Sequence, residues 1–246
     1  MSNADFHLIY WPGIPGRGEF VRIALEEAGV AYKDTAHQAD CMSVMQSELA
    51  GDDGNPPAFA VPALRHGDLL ISQTSNILQY LGEVVAGLAP AEVPGRYHVH
   101  ALALTALDGF SNEVHDTHHP VDISAYYDDQ KAEALRRARA YVGGRLPKFL
   151  AHFESVLAAP TSGAGPWLYG GRLTYADLTL YHGLDGVHFA FPKAVAKARE
   201  SGKYGRVFAL YDAVRERPNI KAYLASERRQ KYSDGIFRYY PELDIV

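Results

Sequence analysis

Phe59-Ala-Val-Pro-Ala-Leu64, Leu69-Leu-Ile71 and Ser72-Gln-Thr-Ser-Asn-Ile-Leu-Gln-Tyr-Leu81 form the stretch whose reading decides the fold. It reads as an extended segment around Val61-Pro62, a second short strand, and a helix that opens on polar residues. Proline lacks a backbone donor and is awkward inside a sheet, so Pro62 marks the start of a strand. An X-Pro bond is also the only kind that goes cis cheaply. A turn at this point bares the N–H and C=O of Val61. The helix start two strands later offers free N–H groups and the positive end of a helix dipole, which suit a carboxylate or phosphate. Together the two features suit a short peptide, its backbone at Val61 and its carboxylate at Gln73 and Thr74.

Toward the N-terminus, Phe6-His-Leu-Ile-Tyr-Trp11 reads as a buried strand, broken by Pro12-Gly-Ile-Pro-Gly16. Arg17 to Ala28 has helical periodicity and Gly29 closes it. Val30-Ala-Tyr-Lys reads as a short strand, Met42 to Leu49 as a short helix, and Gly51 to Pro57 as loop. Residues 1–85 therefore form a small α/β unit, and Ala86 to Gly95, with Pro90 and Pro94, is a linker. Residues 96–246 show no strand. Helices are expected over Tyr97–His118, over Asp128–Leu157 with a break at Gly143-Gly144, and from Thr174 to about Phe189. Arg206–Arg215 and Ile220–Leu224 are further helices. Thr174 is the N-cap of its helix and Asp177 the reciprocal partner. The tail from Ser226 carries Phe237, Tyr239 and Tyr240, and is too aromatic to be disordered; it is expected to pack on the helices.

The chain's 246 residues are 47% hydrophobic and 22% charged, ordinary for a globular protein. The net charge of −5 argues against a general nucleic-acid binder. No apolar run approaches the eighteen or so residues of a membrane span, and Met-Ser-Asn-Ala-Asp at the N-terminus lacks signal-peptide order. The single cysteine, Cys41, excludes an internal disulfide. These features point to a reduced, cytoplasmic enzyme.

An α/β unit followed by an all-helical one, with Val61-Pro62 and Gln73-Thr74 in the first, resembles the cytosolic glutathione S-transferases over nearly the whole chain. Tyr10-Trp11-Pro12 with Gly16-Arg17 resembles the N-terminal motif of the tyrosine-type classes (pi, mu, alpha, sigma), and Thr174-Tyr-Ala-Asp177 the capping box of their buried helix. The resemblance implies a thioredoxin-like domain with a mixed four-stranded sheet, an all-α helical bundle domain, and a homodimer. It implies a co-substrate, glutathione, and no tightly bound cofactor. Val61-Pro62 then matches the cis-proline turn that pairs with the cysteinyl backbone, and Gln73-Thr74 the pair that holds the γ-glutamyl carboxylate. Asn112 stands where an Asp reaches across the dimer to the γ-glutamyl amine; an Asn accepts a hydrogen bond without supplying charge. Lys33, His37 and Gln38 are the nearest candidates for the glycyl carboxylate. The loop between Tyr10 and Arg17 is one residue longer than in the pi class.

The chemistry needs a thiolate from a thiol of pKa about 8.5. A tyrosine hydroxyl donating to the sulfur stabilises the charged form, and one such bond of about 1.5–3 kcal/mol supplies much of a two-unit depression. Tyr10 is the catalytic candidate; residues 11–18 hold neither Ser nor Cys to replace it. Arg17, at a helix N-terminus where it opposes the dipole, is a candidate to support the thiolate or orient the γ-glutamyl group. Trp11, Ile14, His115, His118 and His119, with tail aromatics such as Phe237, are candidates to line the pocket for a hydrophobic electrophile. His115 and His119 are four apart, as metal-binding helices require, but no third ligand is evident and no metal is expected. Two other readings compete with conjugation. One is a non-catalytic hydrophobic-ligand binder of the same fold; the other is an isomerase or peroxidase using the same thiolate.

Overall fold

The computed structural model describes residues 5–245. The chain divides into two compact units, 1–89 with 216–231, and 90–215 with 232–246.

In the first unit a mixed sheet has the order β2-β1-β3-β4. Its strands are β1 (Phe6–Ile9), β2 (Tyr32–Asp34), β3 (Ala63–His66) and β4 (Leu69–Ser72). β1 runs parallel to β2 and antiparallel to β3, and β3 is antiparallel to β4. Cross-strand partners share a face and successive residues alternate. Ile9, Ala63 and Leu70 therefore lie on one face, where they pack with Cys41 and Met45 of α2 (Cys41–Leu49). Leu8, Leu64 and Ile71 occupy the other face, the side of α1 (Gly18–Glu27) and α3 (Thr74–Val84). Cys41 is buried and acts as a small apolar residue.

The expected second strand, Val30 to Lys33, begins two residues later. α1 ends in a Schellman turn, with Gly29 at φ 66°. The Gly29 N–H donates to the Glu26 carbonyl and the Val30 N–H to that of Leu25. Val30 is spent on closing the helix and cannot open a strand.

The second expected departure concerns residues 216–231, placed by sequence with the helical part. They pack in the first unit, where α11 (Pro218–Leu224) lies against α1. Arg217 pairs with Glu27, Asn219 donates to the Glu27 carbonyl at 2.9 Å, and Arg228 pairs with Glu26 at 2.8 Å.

In the second unit α4 (Val93–Leu104) continues through a π-helical stretch, Thr105–Ser111, into α5 (Asn112–His115). The expected long helix after Asp128 is α6 (Lys131–Ala140) and α7 (Leu146–Ala158), joined by a π turn over Tyr141–Arg145 that contains both glycines. α8 (Tyr175–Ala190) is buried around nearly its whole circumference, the mark of a central helix. Its capping box is complete: Asp177 Oδ2 accepts from the Thr174 N–H at 2.7 Å and from the Thr174 hydroxyl at 2.8 Å. Burial raises the Asp177 carboxyl to about 6 against these bonds. α9 (Pro192–Glu200), unmarked in the sequence reading, precedes α10 (Gly205–Arg215). The tail packs on α8 as expected. Phe237 is buried against Gly186, where any side chain would collide with its ring, and the Tyr232 hydroxyl donates to Asp185 at 2.7 Å. Among the described residues no helix is long and apolar enough to cross a membrane.

Candidate functional site

Sheet register brings the first group of candidates to one edge. Ile9 is opposite Ala63, and Ala63 is opposite Ser72. One step further along each strand are Tyr10, Pro62 and Gln73. The carboxyl ends of β1 and β4 therefore meet the amino end of β3, and α3 starts at the same edge. The Val61-Pro62 bond is cis and the ladder begins at Ala63, so the Val61 backbone lies outside it.

Gln73 is the only non-glycine residue with positive φ among the described residues, at φ 71° and ψ 121°. Such a backbone costs about 1–3 kcal/mol and persists where the surroundings impose it. The Gln73 carbonyl takes the first helical bond, from the Ile77 N–H at 2.9 Å, and the Gln73 side chain makes no cap. The helix starts at buried Thr74 without a side-chain cap from Gln73.

Tyr10 is held from several sides. Its N–H donates to Thr35 Oγ1 at 2.8 Å, and the Thr35 hydroxyl donates to the Tyr10 carbonyl at 2.8 Å. Its ring lies against Gly16 and Gly18; a Cβ on Gly18 would meet Tyr10 Cγ at 2.6 Å, so both positions exclude side chains. The Arg17 N–H donates to the Tyr10 hydroxyl at 2.8 Å. Burial raises the phenol above its ordinary pKa despite the Arg17 N–H and the charge of Arg22, so Tyr10 is neutral near pH 7. The N–H groups of Arg17 and Gly18 are both directed at the hydroxyl oxygen, which accepts there and keeps its own O–H as a donor.

The Arg17 backbone thus reaches the phenol. The Arg22 guanidinium lies 5.6 Å from the ring centroid and is fully buried, a residue the sequence reading did not select. Arg22 binds Asp34 at 2.6 Å and Glu19 at 3.3 Å, and donates to the Pro15 carbonyl at 3.1 Å. Burial disfavours its charge, yet Glu19 and Asp34 outweigh that and raise its pKa. The Tyr223 hydroxyl, at 2.9 Å, and Arg229, at 3.2 Å, complete the shell of Glu19. This network fixes the loop from Tyr10 to Arg17 at Pro15. Thr35 and Arg22 were missed because a buried charge on an apolar helix face and a lone threonine have no local signal.

Trp11 is 41% exposed and Ile14 half-buried, both in that loop. Of the three glycyl-carboxylate candidates, Lys33 lies in β2, His37 Nε2 meets the Arg228 carbonyl at 3.2 Å, and Gln38 meets His7 at 3.3 Å. In the second unit Asn112 opens α5, and His115 and His119 stack at a centroid distance of 4.9 Å. His118 lies beside them, buried and pushed down to about 3 by that burial and by His115.

The N-terminal domain model of the glutathione S-transferases matches residues 7–83, and the C-terminal domain model matches residues 115–227. The chain belongs to the glutathione S-transferase family. This is an enzyme family, and the curated relatives carry the transferase name. Glutathione S-transferase of Plasmodium falciparum (isolate 3D7) is 21% identical over 231 residues, 93% of this chain and 99% of that one. Glutathione S-transferase P of Caenorhabditis elegans is 29% identical over 213 residues, 86% and 88% of the two chains. Among solved structures, prostaglandin synthase D of Nilaparvata lugens superposes with a TM-score of 0.68 at 19% identity, covering 91% of this chain and 98% of that one. The mixed four-stranded sheet and helical second unit are the family's fold.

Proposed function

We propose that the chain is a tyrosine-type glutathione transferase that conjugates the glutathione thiolate to hydrophobic electrophiles. The observation that carries this reading is the Tyr10 hydroxyl, neutral and already accepting from the Arg17 N–H at 2.8 Å, with its proton left for a sulfur. In this reading the cysteinyl backbone pairs with Val61 beside Pro62. The γ-glutamyl carboxylate sits at Gln73, Thr74 and the N-terminus of α3. Arg17 positions Tyr10, and Trp11 and Ile14 offer apolar surface to the second substrate. The proposed role of Asn112 requires a second copy of the chain, whose glutathione amine it would bind.

The homodimer is part of the proposal. Phe59, three residues before Pro62, is 96% exposed, an apolar ring with no intramolecular cover. Burial in a partner would supply about 1.5–3 kcal/mol. Phe59→Ala is expected to weaken the dimer by about ten- to hundredfold in sedimentation equilibrium. A wild-type chain that is monomeric at micromolar concentration would remove the dimer from the account.

Gln73→Gly separates binding from folding. Glycine relieves the positive φ but removes the amide, so stability is expected within about 1 kcal/mol of wild type. The KM for glutathione is expected to rise about tenfold, the loss of about one hydrogen bond to a charged group. An unchanged KM would remove Gln73 from the site.

A second reading, isomerisation through the same thiolate, is favoured by the solved neighbour named as a prostaglandin synthase. Retention on immobilised glutathione, followed by turnover of electrophiles, prostaglandin endoperoxides and peroxides, discriminates the two. Conjugation faster than isomerisation supports the leading reading, and failure to retain glutathione defeats both.

A further inference from the structure

We propose that His115, His118 and His119 form a binding site for a divalent transition metal of the zinc class. Their candidate ligand nitrogens all lie within 4.8 Å of one another, and His118 Nδ1 is 2.6 Å from His119 Nδ1. A tetrahedral centre with metal–nitrogen bonds of about 2.0–2.1 Å places its ligand atoms roughly 3.3–3.4 Å apart. The observed spacings bracket that value, so small side-chain rotations suffice.

Local backbone bonding makes the three rings converge. The N–H groups of His118 and His119 both donate to the His115 carbonyl at 3.1 Å, closing the turn that ends α5. The Thr117 hydroxyl donates to the Val114 carbonyl at 2.7 Å in the same turn. Arg145 clamps Glu113 through bonds of 2.6–3.0 Å, and Arg137 binds Asp116 at 3.1 Å, so the residues flanking the site are pinned as well.

His118 has the outer partner that metal-bound imidazoles use. Its Nε2 meets the Ile236 carbonyl at 3.3 Å, and a carbonyl only accepts, so Nε2 carries the proton and Nδ1 the lone pair. That lone pair faces His119. Neutral imidazoles suit zinc, copper(II) and nickel(II), and three of them leave a fourth position for water. The cation acting on both rings is Arg238, which is turned toward Asp234 at 3.8 Å and the Gly235 carbonyl at 3.3 Å. Asp116, 4.0 Å from His115 Nδ1, is paired with Arg137. Because Ile236 belongs to the tail, a bound metal would tie the end of α5 to the C-terminal segment. This inference is independent of the glutathione site.

The test uses the full chain, free of any histidine tag and stripped of metal, titrated with Zn²⁺ by calorimetry and with Co²⁺ by visible absorption. A single saturable site is expected, with the intense d–d bands of four-coordinate Co²⁺ and a raised melting temperature with Zn²⁺. His115→Asn and His119→Asn, both at partly exposed positions, are each expected to weaken binding by more than about tenfold. Their metal-free circular dichroism should match wild type. No saturable site in the wild-type chain, or the weak bands of six-coordinate Co²⁺, would overturn the proposal and leave a His–His hydrogen bond only. Unchanged affinity in both His115→Asn and His119→Asn would do the same.

Discussion

Tyr10→Phe is expected to lower kcat/KM for conjugation by about ten- to hundredfold while leaving glutathione affinity nearly unchanged. In the proposed mechanism the removed hydroxyl would donate one bond to a charged sulfur, worth about 1.5–3 kcal/mol, and that energy would favour the thiolate over the thiol. The ring itself is retained against Gly16 and Gly18, and Thr35 holds the backbone at both N–H and carbonyl, so the fold tolerates the change. The Arg17 N–H loses its acceptor at 2.8 Å, a modest cost at a partly buried position. The rate loss should be largest below the thiol's free pKa and shrink as rising pH ionises glutathione unaided. Steady-state rates across pH check this; a uniform loss at all pH values would mean that Tyr10 orients the substrate rather than tuning its ionisation.

Arg22→Ala is expected to destabilise the protein by about 3–5 kcal/mol in denaturant unfolding, because it leaves Asp34 without its cation and buried Glu19 with Arg229 alone. Glu19 and Arg22 are fully buried and Asp34 is nearly so. Arg22→Met, which restores volume but not charge, should lie close to Arg22→Ala. Adding Asp34→Asn to Arg22→Met should recover part of the loss, since the orphaned carboxylate is then removed. Activity should fall further than stability alone explains, because the bond from Arg22 to the Pro15 carbonyl fixes the loop that presents the Arg17 N–H to Tyr10. An Arg22→Ala chain as stable as wild type would show that the network is not what holds this loop.

The elements visible in the sequence were those with local punctuation. Pro62 marked the strand start, Gly29 the helix end, and Thr174 with Asp177 a helix beginning, and each stands at or within a residue of its expected place. The candidates Tyr10, Pro62 and Gln73 were legible as separate motifs, but only the register of β1, β3 and β4 brings them to one edge. The conformation of Gln73, at φ 71°, had no sequence signal because glycine would be the ordinary choice there. Buried charge was invisible for a related reason. Arg22 and Glu19 carry no local mark of burial, because Asp34, Tyr223 and Arg229 reach them from distant parts of the chain. The same applies to residues 216–231, whose ion pairs with Glu26 and Glu27 span some two hundred residues, so no local pattern assigned them to the first unit. His118 was legible as a pocket candidate beside His115 and His119 but not as a third ligand, because it falls outside their helical spacing and its ring converges only through the turn after α5.

The central claim is that the Tyr10 proton stabilises a thiolate, and titrating the glutathione thiol in its complex by ultraviolet absorbance tests it most directly. The account predicts an ionisation one to two units below the free value of about 8.5 in the wild-type complex, returning toward that value in Tyr10→Phe. An undepressed thiol in the wild-type complex, or the same depression with phenylalanine at position 10, would contradict it.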